Sequence, residues 1–169
     1  MKTRMFVSII ILVLAVLIAV GSCVTGKNSI AEEELIEKFT GIYVNINYDG
    51  SNKFHSQKFE ITSEKHWGFY LKIDDPVACG AGYFKVVNSW VDRKGNIYCQ
   101  AKMYFGPTVS RIWALWRLDK SGEVLEQTFW YGGKEKYPDK IVNHDIPMDA
   151  DDFSSQEVSL WYNIYNRQE

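Results

Sequence analysis

Three cysteines, three histidines and a scatter of carboxylates are the side chains of this chain with the means to do chemistry. His55, His66 and His144 stand far apart, without the HxxxH or paired-ligand spacing that brings imidazoles onto one zinc ion. They read as surface or loop histidines, and no metal is expected. The run Asp145 to Asp152 is acidic enough to suggest calcium, yet it lacks the glycine and the terminal glutamate of an EF-hand loop. It reads as a solvated acidic loop. Cys79 and Cys99 have no histidine beside them in sequence to hold a thiolate. Asp74 and Asp75 precede Pro76, where aspartates serve turn geometry rather than paired acid–base work. No Gly-x-Ser-x-Gly occurs, and Cys79-Gly80-Ala81-Gly82 does not open a helical pattern, so neither a nucleophile elbow nor a phosphate loop is supported. The expectation is a protein that is not an enzyme and holds no cofactor.

Cys23 is different, because its context assigns it a reaction. Lys2 and Arg4 give a basic start, Met5 to Val20 has Ser8 as its single polar residue, and Gly21-Ser22 leads into the cysteine. A basic start, an apolar core and a small-residue exit describe a secretory signal peptide. A membrane-spanning helix needs about 20 apolar residues, with ~17 as the lower limit, so this run is marginal for spanning. Val20-Gly21-Ser22-Cys23 resembles a bacterial lipobox, where a type II signal peptidase cuts before a cysteine that carries diacylglycerol. Several acyl chains give stable attachment, at about 0.8 kcal/mol per buried methylene. Residues 1–22 are thus expected to be removed and Cys23 to become the anchor. An uncleaved helix and ordinary secretion are the alternatives. Val24 is not the aspartate that keeps many enteric lipoproteins at the inner membrane, which by analogy favours the outer one.

Removal of residues 1–22 from the 169 leaves 147, with 17 basic and 21 acidic side chains. That is one domain's worth of chain, long enough for a real core. Its mild acidity, without a basic stripe, argues against nucleic acid as partner. Residues 23–33 read as lipidated cysteine and tether, and 34–169 as the domain. Outside the cytoplasm Cys79 and Cys99 form a candidate disulfide. If residues 82–91 and 96–105 make a hairpin about Asp92–Gly95, Cys99 lies opposite roughly Asn88, and a bridge needs the chain before Gly82 to bend back.

The elements that position these residues are strands. After Glu32–Phe39, which suits a short helix, alternating aromatic and β-branched runs cover 41–48, 57–62, 66–73, 82–91, 96–105, 109–118, 123–131 and 159–167. Turn residues punctuate them, and a long polar stretch fills 132–157. Eight short antiparallel strands joined mostly by tight turns favour an up-and-down barrel, in which closure removes exposed edges. Ile97, Cys99, Ala101, Met103 and Phe105 share one face of their strand. Strand 109–118 is apolar on both faces. If Ile112, Ala114, Trp116 and Leu118 face inward, Trp113 and Leu115 are exposed as a contact patch. The opposite setting sends Arg111 and Arg117 into the barrel, where a guanidinium fork suits a carboxylate or phosphate. The first setting is favoured, because a buried arginine is costly unless paired. All six tryptophans fall on strands, as core packing or as the lining of a cavity. An eight-stranded barrel is just wide enough to fill with side chains or to hold one small ligand.

The segments "FTGIYVNINYDG", "YFKVVNSWVDRKGNIYCQAKMYFG", "ALWRLDKSGEVLEQTFWY" and "YNIYNR" resemble a group of uncharacterised, spirochaete-type bacterial lipoproteins with a lipocalin-like (calycin) barrel. Members of that fold carry Gly-x-Trp on the first strand and an arginine near the last that packs over the Trp. Gly41-Ile42-Tyr43 matches with Tyr in place of Trp, and Arg167 stands where that arginine would. The resemblance implies membrane attachment, carriage of a small apolar ligand and no catalytic residues. The expectation is therefore a non-enzymatic, lipid-anchored envelope protein whose barrel binds a small apolar or amphipathic molecule. Tyr43, Ile97, Ala101, Met103, Arg111, Trp113 and Trp116 are the candidate contacts, with Tyr43 or an arginine at the mouth. The rival expectation is a solid barrel that meets an envelope protein through its surface.

Overall fold

The computed structural model describes residues 28–48, 56–74, 77–105, 111–131, 137–147 and 159–169. Residues 1–22, expected to be a signal peptide, and Cys23 lie outside the described residues. Among those described, no helix is long and apolar enough to cross a membrane. Helix α1 (Glu32–Phe39) opens on three glutamates and carries Lys38 in its last turn, which complements the helix dipole at both ends. It buries Leu35, Ile36 and Phe39.

The strands follow as β1 (Gly41–Asn45), β2 (Lys58–Ile61), β3 (His66–Tyr70), β4 (Gly80–Val91), β5 (Ile97–Phe105), β6 (Arg111–Leu118), β7 (Val124–Tyr131), β8 (Ile146–Pro147) and β9 (Ser159–Arg167). Each pairs antiparallel with its neighbour, and β9 pairs with both β7 and β1, so eight strands close into a barrel. Two-residue β8 lines the same edge of β9 as β1 does, at the strand's other end. The expected all-β barrel, with a helix before its first strand, is the observed fold.

Strand polarity gives the barrel unlike ends. At one end the connections are tight, and two of them repeat Asp-x-x-Gly. The Asp92 carboxylate accepts from the Lys94 and Asn96 amides at 2.8 and 2.9 Å, and Gly95 turns the chain at φ 87°. Asp119 accepts from Glu123 and Val124, both at 2.9 Å, with Gly122 at φ 81°. A positive φ favours glycine, which has no Cβ to clash. Helix α1 lies at this same end. At the other end the β1–β2, β3–β4, β5–β6 and β7–β9 connections are all longer, and parts of each fall outside the described residues. We refer to the closed end and the mouth.

The core sits inside the barrel. Trp116 is its centre, with ring centroids of Phe84, Phe39 and Phe59 at 5.0, 6.0 and 6.0 Å. A β-bulge between Val86 and Asn88 shifts the β4–β5 register, so Cys99 faces Ser89 rather than Asn88.

Candidate functional site

At the closed end a latch joins the helix to the first and last strands. The Tyr43 hydroxyl donates to the Phe39 carbonyl at 2.7 Å and accepts from Arg167 Nη2 at 2.7 Å. The same nitrogen donates to the carbonyls of Lys38 and of Thr40, the latter at 3.2 Å. The guanidinium carbon lies 5.3 Å from the centre of the Tyr43 ring, within cation–π range. Gly41 allows this approach, since a Cβ there would stand 3.2 Å from Arg167 Nε. Burial pushes the Tyr43 phenol above its ordinary range, against the pull of the Arg167 charge. Tyr43 therefore serves closure, at the end opposite the mouth.

Above Trp116 the interior changes character. Register places Trp116 opposite Gln127 and Gln127 opposite Asn163, so three inward side chains on β6, β7 and β9 form one row across the wall. Asn45 on β1 extends the row, its Nδ2 donating to Asn163 Oδ1 at 3.0 Å. Ser56, at the head of β2, shares a 3.0 Å bond with the Tyr165 hydroxyl. Burial raises that phenol's pKa, so it stays protonated. Gln127 and Asn163 are each 3% exposed. Among the described residues the buried Trp116 indole N–H, in the same row, meets no acceptor. Buried polar groups in folded proteins are overwhelmingly paired, with protein, water or ligand. The buried polar residues described are Asn45, Ser56, Gln127, Thr128 and Asn163, none of them charged.

The other expected contacts divide. Ile97, Ala101 and Met103 face inward with Cys99, and Ala101 sits directly between Val86 and Ala114. Trp116 is inward and fully buried. Arg111 begins β6 opposite Tyr104. Ile112, Ala114, Trp116 and Leu118 do face inward, yet Trp113 and Leu115 are not exposed, both at 0%. The expected contact patch is covered. Segment 137–147 lies over it, with Tyr137 edge-on to Trp113 at 5.1 Å and the Val142 amide donating to Thr128 Oγ1 at 3.0 Å. Gln100 Nε2 donates to the Pro138 carbonyl and the Tyr162 amide to Asp145 Oδ1, which pins the segment further. The polar stretch is thus in part a lid on the outer sheet face.

The cysteine pair does not form. Cys99 is a buried free thiol near the closed end, and Cys79 is exposed at the mouth end, where its amide bonds to Phe69. From Cys79 to Ser89, the partner of Cys99, is ten strand residues, about 30 Å. Burial drives the Cys99 pKa up and leaves it a poor nucleophile. His66 and His144 are exposed on separate elements, and His55 lies outside the described residues. No cluster of three metal-ligating side chains occurs among the described residues. Comparison of the chain with protein-family models, with curated proteins and with solved structures returned no match.

Proposed function

We propose that the protein is a lipid-anchored, non-enzymatic binding protein of the bacterial envelope, most simply of its outer membrane, whose barrel takes up a small, uncharged, amphipathic molecule from the mouth. The observation that carries this reading is the row Trp116–Gln127–Asn163–Asn45, three buried amides beside an indole N–H without a partner, inside an otherwise aromatic core. A site of this kind, apolar with a few placed polar groups, is the usual make-up of a small-molecule pocket. A neutral head group such as an amide, alcohol or ketone would pair with Gln127 and Asn163 while its tail lies along Met103, Phe129 and Trp161. A charged head would be desolvated there without a counter-charge among the described residues, which is costly. Membrane attachment rests on the sequence around Cys23.

The test combines a mass and a competition. Native mass spectrometry of protein purified gently from its host should show a bound small molecule. Nile red should gain fluorescence on binding, and dodecanamide should displace it at lower concentration than dodecanoate does. Gln127→Leu should weaken dodecanamide about tenfold, the worth of one buried hydrogen bond. A bare mass, no dye binding, and a Gln127→Leu protein more stable than the parent would sink the reading. The rival, a solid barrel that meets an envelope protein by its surface, would then stand, and the dense ring contacts around Trp116 favour it.

A further inference from the structure

The place where the chain enters the barrel orients the whole molecule. Asn28 forms an antiparallel bridge to Val91, with the Asn28 amide to the Val91 carbonyl at 3.3 Å and the reverse bond at 2.9 Å. It occupies the lower edge of β4, which β3 is too short to cover. Two residues on, the Ile30 carbonyl accepts from Ser89 Oγ at 3.5 Å, and Ile30 packs on the core. The described fold thus reaches back to Asn28, and residues 24–27 are all that the chain has between it and Cys23. Five Cα steps span at most about 18 Å. An acylated Cys23 would hold the closed end that near the bilayer, while the mouth points away by about a strand's length.

Beside Val91 the surface has a particular chemistry. A groove of about 610 Å³ runs between the β4–β5 turn and residues 139–141. Trp90 and Tyr98 form its wall, stacked at 5.1 Å and within 5° of parallel. Arg93, Lys94, Arg117 and Lys140 supply positive charge, against Asp92 and Asp139. Arg117 is already paired with Glu126. The Asp92 carboxylate is turned into its own loop. Partial burial raises its pKa, but bonds from Asn96, Lys94 and Tyr98 outweigh that and hold it below the usual range. Arg93, Lys94 and Lys140 remain to meet an anion. At the same end, Glu32, Glu33 and Glu37 border a second depression, with Lys65 paired to Glu32.

From these positions we infer that the Trp90–Tyr98 groove is a docking surface for anionic phospholipid headgroups, so that the anchored barrel leans onto the membrane by its β4–β5 side. Aromatic rings beside basic side chains suit the interfacial layer of a bilayer. Each lysine or arginine near an anionic surface contributes about 1 kcal/mol, roughly fivefold in affinity. The anchor supplies a high effective concentration, so weak contacts suffice. This inference rests on the lipidation of Cys23.

The test uses the acylated full-length protein in vesicles of phosphatidylcholine, with or without phosphatidylglycerol, carrying a brominated-chain quencher. Trp90, at 7%, is the most exposed of the six tryptophans. Quenching should rise in the phosphatidylglycerol vesicles, vanish in Trp90→Phe, and fall about fivefold or more in the Arg93→Gln, Lys94→Gln, Lys140→Gln triple variant. Salt at about 1 M, which shortens screening to ~3 Å, should act like the triple variant. A dye on Cys79, exposed at the mouth end, should show weak energy transfer to the bilayer surface. Equal quenching in both vesicle types, or strong transfer from Cys79, overturns the docking. An N-terminal peptide mass without acyl groups overturns the anchoring reading and this inference together.

Discussion

Arg167 joins three segments at once, because a single guanidinium nitrogen, Nη2, meets a phenol oxygen and two carbonyls while the guanidinium lies over the Tyr43 ring, a stacking that an ammonium does not reproduce. Arg167→Ala should lower unfolding free energy by about 2–3 kcal/mol, since it removes charge-assisted bonds from a partly buried network. Arg167→Lys should recover less than half of that, and denaturant titration of both variants is the check. Equal stability of parent and Arg167→Ala would show that the latch closes nothing. The pairing of Tyr43 with Arg167 was legible only through the resemblance, which sets Gly41-Ile42-Tyr43 and Arg167 where the lipocalin-like fold has its Gly-x-Trp and arginine. Its role was not, because parity along a strand says which face a side chain takes and not which end of the barrel it serves. Gln127, Asn163 and Asn45 carried a readable signal of another kind. Each is the polar member of an inward set otherwise made of Leu125 and Phe129, of Trp161 and Tyr165, or of Tyr43.

Among the elements, the turns at Asp92 and Asp119 predict a pH response. Partial burial raises the Asp119 pKa, but bonds from Ser121, Val124 and Glu123 outweigh it and hold the carboxyl below its ordinary range. A carboxylate whose pKa is lower in the fold than in the unfolded chain stabilises above the unfolded value, about 3.9, and that contribution is lost as pH falls through the folded one. Asp119→Ala should therefore melt below the parent at pH 7, by the equivalent of about 1–2 kcal/mol. The gap should shrink as pH drops below about 4. A gap that stays constant to the lowest pH would contradict the assignment. Helix α1 and the eight barrel strands were readable, because alternation and turn residues are local properties, although β1 and β3 end three residues before the expected 48 and 73, and β8 was not foreseen. The cover over Trp113 and Leu115 was not. A polar stretch such as 137–147 hides Tyr137 and Val142 among charged neighbours, and only tertiary contact reveals what they bury. The bulge after Val86 escaped for the same reason, and one extra residue moved the partner of Cys99 by a position.

For the whole molecule, closure depends on one strand. β9 carries both final seams, to β7 and to β1, and Tyr43 meets Arg167 across 124 residues. Closing a loop of that length costs about 4 kcal/mol in chain entropy before any seam contact repays it. A chain ending before Ser159 should lose its cooperative thermal transition, although β2 to β7 could still pair as an open sheet. A sharp transition in that truncated chain would refute the dependence. The last strand is also the last to be made. While the chain is being synthesised from its N-terminus, the ring has no means of closing, because the piece that completes it has not yet arrived. If the segment before Cys23 directs export, as proposed from its sequence, a machine that passes only unfolded chain is offered one by the order of the strands themselves. The barrel acquires its final shape only after residue 167 has followed the rest.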